Sequence, residues 1–185
     1  LKPGQTFDDD FQRRFRPGMA ITAVIRSHRS VPSHIRVASL QDALRESDVL
    51  VLACPLTSET MGMIGAEELA AMKAGSAIVN IARGAIVQEP ALIEALASGH
   101  LAFAALDVFE QQPLDQESQL LQLDNVVLTP HTAGITAQAV RNMSRIASEE
   151  AIRILNFDRP VNLVNATAWQ AIAARWHAMR TEHDQ

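Results

Sequence analysis

Short apolar runs alternate with amphipathic stretches through the middle of the chain, a pattern of strands interleaved with helices. Residues 20–25 read as a buried strand and residues 48–53 as the next. Between them Ser39 can cap a short helix, with Asp42 three residues on and Leu40, Ala43 and Leu44 on one face. Residues 67–72 predict a helix stopped by Gly75, and residues 76–82 a further strand. Pro90 starts a helix whose Leu92, Ala95 and Leu96 face inward, and Gly99 stops it. Residues 103–109 and 126–128 complete the strands. Such alternation predicts an α/β fold on a parallel sheet.

Beyond Gly134 the period is purely helical. Val140, Met143, Ala147, Ala151 and Ile154 recur at spacings of three and four and predict a long amphipathic helix. A final stripe of Trp169, Ile172, Ala173, Trp176 and Met179 reads as a docking or dimer helix, with a solvent-exposed, partly frayed tail as the alternative. There are no internal repeats or low-complexity segments.

With 185 residues, 48% of them hydrophobic, the chain can bury one core and little more. A net charge of −5 and the lack of a Lys/Arg cluster argue against a nucleic-acid partner. No apolar run approaches membrane-spanning length and no signal-peptide pattern is present, so no membrane partner is expected. The single Cys54 excludes an internal disulfide and fits a reducing compartment. It reads as a buried strand-end thiol rather than a nucleophile. A soluble cytoplasmic protein is expected, with a non-native N-terminus because Leu1 stands where an initiator Met would. Asn165-Ala166-Thr167 matches a glycosylation pattern, a chance match in a cytoplasmic chain.

Two strand ends carry the candidate chemistry. Arg83 arrives at the carboxyl end of the 76–82 strand, and His131 follows the 126–128 strand within Thr129-Pro130-His131-Thr132-Ala133-Gly134. Ligands of open parallel sheets bind outside the carboxyl ends of the strands. A guanidinium fork suits a carboxylate, and an imidazole titrating near neutrality suits proton transfer. Together they point to a site that holds an acid and moves a proton. The plainer readings are an arginine capping a strand-end loop and a structural histidine beside a proline.

From Gly18 to Asn165 the chain resembles the D-isomer-specific 2-hydroxyacid dehydrogenases, the group that includes glyoxylate/hydroxypyruvate reductase and phosphoglycerate dehydrogenase. The resemblance rests on ordered, family-like spacing of several stretches: Ser47-Asp48-Val49-Leu50-Val51-Leu52, Cys54-Pro55-Leu56-Thr57-Ser58-Glu59-Thr60 and Ala71-Met72-Lys73-Ala74-Gly75. Asn80-Ile81-Ala82-Arg83-Gly84, Ala104-Ala105-Leu106-Asp107-Val108-Phe109-Glu110 and Leu128 to Gly134 continue it.

That resemblance implies that Arg83 binds the substrate carboxylate and carbonyl, and that His131 protonates the carbonyl oxygen. In the family a glutamate pairs with the histidine; this chain has Gln112 there, which can orient the ring but cannot supply the charge that stabilises imidazolium. For the cofactor, the resemblance implies Pro55, Leu56, Thr57 and Thr60 beside the adenine ribose and nicotinamide. It adds Ile81, Ala82 and Arg83, with Asp107, His131 and Gly134 near the carboxamide. A tight turn at Pro55, a strand-end cap at Asp107 and a helix stop at Gly134 are the plain alternatives. The family's NAD-selecting acid is expected near Ile25, but Arg26 and Ser27 follow instead, so NADP is preferred over NAD. A solvated basic loop is the alternative.

The front of the resembled domain is missing. Residues 1–7 resemble the lead into its first strand and residues 11–19 the end of the next helix. The strand body and the Gly-x-Gly-x-x-Gly loop between them are absent, and Asp8-Asp9-Asp10 fills the gap. Backbone N–H groups of such a loop approach a pyrophosphate, whereas three carboxylates repel one. The absent strand is central in this topology, so two edges lose a partner.

The expectation is therefore a Rossmann-like doubly wound parallel sheet lacking most of its first strand and the Gly-rich loop. Residues 1–134 form the incomplete dinucleotide-binding domain, 135–165 the crossover helix and return segment, and 166–185 a tail helix, with the substrate domain absent. The implied function is NAD(P)-dependent interconversion of a small 2-keto acid and its D-2-hydroxy acid by a homodimer, with activity weak or lost. A non-catalytic dimerisation module and a decayed fragment remain the alternatives.

Overall fold

The computed structural model describes residues 19–26, 31–156 and 158–183. Ser27 and everything expected of residues 1–18 lie outside the described residues, as does the side chain of Met179. Two compact units are resolved, Leu1–Ala133 and Gly134–Gln185.

In the first unit all strand pairing is parallel. β1 (Thr22–Ala23) pairs with β2 (Arg36–Val37) as one two-stranded sheet. β3 (Val49–Leu52), β4 (Ser76–Asn80), β5 (Leu101–Leu106) and β6 (Val126–Leu128) form a second sheet in that spatial order. Among the described residues no strand joins β1 to β3, so the two sheets are separate.

Three helices supply the connections: α1 (Leu40–Glu46), α2 (Ala66–Ala71) and α3 (Glu89–Ala97). Ser39 caps α1 as expected, its hydroxyl accepting from the Asp42 N–H at 3.1 Å. Pro90 falls in the first turn of α3, where its missing N–H costs nothing. Gly99, at φ +74°, closes that helix in a conformation a Cβ disfavours.

The core forms where these helices meet the strands. Leu44, Leu69, Leu92 and Leu96 pack with Leu50, Leu52, Ile78, Leu101 and Leu106. Because side chains alternate across a strand, the intervening Val49, Val51, Phe103 and Val127 face the other way. There they are 38–53% exposed. Parallel sheets are usually covered on both faces; among the described residues this one is covered on one.

β1 is shorter and less buried than the 20–25 run predicts. Thr22 and Ala23 are half-buried and Val24 is 49% exposed, since β2 is the one strand paired to it among the described residues. β2 itself was invisible in the sequence, being two exposed residues outside any apolar run.

In the second unit α4 (Ala137–Leu155) starts at Thr136, whose hydroxyl accepts from the Ala139 N–H at 3.1 Å. None of its residues is buried. α5 (Trp169–His183) is helical as the apolar stripe predicts, and Trp169 and Trp176 meet edge to face at 5.3 Å. Arg159 lies over the Trp169 ring.

Candidate active site at the carboxyl ends of the strands

The turn after β4 is built by one buried amide. Asn80 is 1% exposed; its Oδ1 accepts from the Ala82 N–H and its Nδ2 donates to the Arg83 carbonyl, both at 3.0 Å. Satisfying both ends of a buried side chain fixes the loop geometry. Ile81 is 46% exposed there and Ala82 is buried. Arg83 is exposed, its Nη1 donating to the Ala82 carbonyl at 2.6 Å, and it leads into a short turn, Gly84–Ile86. Gly84 lies against the next loop so closely that an added Cβ would sit 1.9 Å from the Phe109 carbonyl. The arginine loop is thereby packed onto the segment leading to Gln112.

The histidine loop is held from β5. Asp107 is 4% exposed, and its Oδ1 accepts from the Thr129 hydroxyl at 2.5 Å and the Thr132 N–H at 2.7 Å. Its Oδ2 accepts from the Ala133 N–H at 2.9 Å. Burial opposes ionisation of Asp107, but these three bonds outweigh it, with a small contribution from nearby His131. The carboxyl is therefore held below its ordinary range.

His131 adopts φ +57°, the one positive φ of a non-glycine residue among the described residues. For a residue with a Cβ this costs on the order of 1–2 kcal/mol. Gln112 Oε1 lies 3.4 Å from His131 Nδ1, so an amide oxygen stands where an imidazole N–H can donate. With the proton on Nδ1, Nε2 is the nitrogen left to exchange one.

Of the residues expected to hold a nucleotide, Arg26 and the Pro55–Thr60 loop come together after β1 and β3, whereas Ile81, Ala82, Arg83, Asp107 and His131 follow β4, β5 and β6. Thr60 Oγ1 donates to the Pro55 carbonyl and accepts from the Thr57 N–H, both at 2.8 Å, closing the loop that also carries the exposed Leu56. Arg26 reaches this loop through an ion pair with Glu59 at 2.9 Å. Both side chains are more than 60% exposed, so the pair adds little stability. The sequence had not marked Glu59, although an acid two residues beyond Thr57 offered the signal.

Gly134 begins the second unit. A cavity of about 320 Å³ beside α3 is lined by Glu89, Ile93, Gln111 and Asp115 among others, and neither Arg83 nor His131 borders it. Thus His131 is brought to Gln112 and Asp107, and Arg26 to the Pro55–Thr60 loop. The Arg83 loop meets the Phe109–Glu110 backbone rather than the imidazole itself. Thr129, Thr132 and Ala133, which grip Asp107, escaped the sequence reading because the donors are mostly backbone.

An α/β unit with a parallel sheet and polar side chains gathered at the carboxyl ends of its strands belongs to the nucleotide-binding class of folds. Residues 10–133 match the D-isomer specific 2-hydroxyacid dehydrogenase NAD-binding domain, and the chain belongs to that family. It is 46% identical over 127 residues to a glyoxylate reductase of Aeropyrum pernix, covering 69% of this chain and 38% of that protein. It is 44% identical over 133 residues to glyoxylate/hydroxypyruvate reductase B of Cronobacter sakazakii, covering 72% and 41%. The chain thus spans about two fifths of the length of these curated relatives.

Among solved structures, a D-isomer specific 2-hydroxyacid dehydrogenase from Xanthobacter autotrophicus Py2, in complex with NADPH and MES, superposes with a TM-score of 0.69 at 37% identity. That match covers 80% of this chain and 62% of the other. D-lactate dehydrogenase with NAD+ from Lactobacillus jensenii gives a TM-score of 0.70 at 32% identity, covering 78% and 47%.

Proposed function

We propose that this chain is the nucleotide-binding portion of an NADP-preferring oxidoreductase that reduces a small 2-keto acid, such as glyoxylate or hydroxypyruvate, to its D-2-hydroxy acid. The observation that carries the reading is the Gln112–His131 contact at the carboxyl end of a parallel sheet, with the Arg83 loop packed on the same segment. Arg83 holds the acid by its carboxylate. His131 gives a proton to the carbonyl oxygen as that carbon is reduced. Gln112 keeps the proton on Nδ1 of the ring but offers no charge to stabilise imidazolium.

NADPH, when bound, supplies the hydride. The residues present suit it only in part: Arg26 stands beside the Pro55–Thr60 loop, where a 2′-phosphate has to displace Glu59 from the guanidinium. Ile81 and Ala82 are assigned to the nicotinamide side, while the Asp107 carboxylate is already taken up by its own loop. The middle of the cofactor is poorly served, because none of the eight glycines falls in a Gly-x-Gly-x-x-Gly run. Weak NADPH binding is expected, with turnover weak or lost. The lone thiol Cys54 favours a cytoplasmic setting.

The test is NADPH consumption with glyoxylate, measured with and without Gln112→Glu in a version of the chain whose first strand and glycine loop are restored, beside NADPH titration of the chain itself. Restoring a charged partner for the imidazole is expected to raise turnover by roughly 10²–10⁴. Equal rates would sink the account of Gln112, and no saturable NADPH binding would sink the enzyme reading itself.

A second reading, a non-catalytic homodimerisation module, is favoured by α4, where Met143, Ile152 and Leu155 are 57–76% exposed. A tight dimer blind to NADPH in size-exclusion chromatography supports it.

A further inference from the structure

We propose that Asp107 is a positioning residue: anchored on β5, it locks the Thr129–Ala133 loop in the shape that presents His131 to Gln112. The three groups bonded to its carboxylate come from that loop, the Thr129 hydroxyl on one side of His131 and the Thr132 and Ala133 N–H groups on the other. They bracket the residue with φ +57°. A side chain with a Cβ disfavours that backbone, so an untied loop would relax toward negative φ and carry the ring away. Bonds on both flanks prevent it.

The anchor is itself fixed. The Asp107 N–H donates to the Asn80 carbonyl at 3.0 Å, extending the ladder between β4 and β5 by one rung. Asn80 in turn closes the Arg83 loop through its side chain. One backbone bond therefore joins the two buried side chains that shape the arginine and histidine loops. Both loops are shaped before any ligand arrives, the condition under which oriented groups are most effective.

The positioning role rests on the reading of His131 as proton donor, whereas the loop clamp does not, and the experiment keeps them apart. In the isotope-labelled full chain, Asp107→Asn is expected to lower the exchange protection of the Thr132 and Ala133 amides by about tenfold or more. It is also expected to shift the Cε1–H resonance of His131, while core amides such as that of Ile78 keep their protection. Thr129→Val removes one donor and is expected to produce part of the same change, with Thr129→Ser restoring it. This pair decides the matter if Asp107→Asn does not fold.

A folded Asp107→Asn with unchanged exchange and an unmoved His131 resonance would overturn the proposal, as would Val and Ser at position 129 behaving alike. An intact clamp in a chain that binds no NADPH overturns the reductase reading alone.

Discussion

At the residue scale the site depends on side chains whose partners are backbone groups. Gly84 is the tightest case. Any Cβ there would collide with the Phe109 carbonyl and the Glu110 nitrogen, and neither is the movable end of a side chain. Gly84→Ala is expected to cost about 1–3 kcal/mol through forced backbone displacement. The urea midpoint reads it, and an unchanged midpoint would mean that the two loops part freely.

Asp107 makes a pH-dependent contribution. Its folded pKa is depressed, so the stability it adds is complete above the unfolded value of about 3.9 and is lost as pH falls through the lower folded value. Acid titration of the chain should show a loss of stability below about pH 4. Asp107→Asn should lack that component, and identical acid profiles would contradict the depressed pKa.

At the element scale the boundaries follow local chemistry. The Ser39 hydroxyl satisfies an N–H that α1 cannot pair internally, so Ser39→Ala should destabilise by about 1 kcal/mol, read as a lowered thermal midpoint. A midpoint that does not move would show that the cap bond is replaced by water. α1, α3 and α4 were legible because periodicity and caps agree within a few residues of sequence. β2 was not, since two exposed residues become a strand through parallel pairing with Thr22 and Ala23, a non-local event.

At the scale of the whole molecule, the salient feature is a sheet face left uncovered among the described residues. Val51, Val79, Ala105 and Val127 lie in one cross-strand row, with Val49, Ala77 and Phe103 in the next. Several of these are about half exposed, and β3 is the end strand of its sheet among the described residues. Apolar faces and open edges associate. Light scattering on the chain should show concentration-dependent self-association at micromolar to millimolar concentration. Val51→Lys should reduce it, and a monodisperse solution throughout that range would mean the face is covered after all.

The sequence by itself determined the α/β alternation, the family, and the identities of Arg83, His131 and Gln112, because these lie in ordered short-range motifs. It also showed that no Gly-x-Gly-x-x-Gly run is present. Only the tertiary structure decided that Asp107 grips the histidine loop, that Gly84 is wedged against Phe109, and that Arg26 pairs with Glu59. All three join residues 25 or more positions apart, and the first two run through backbone atoms, which are the same in every residue and leave no mark in the sequence.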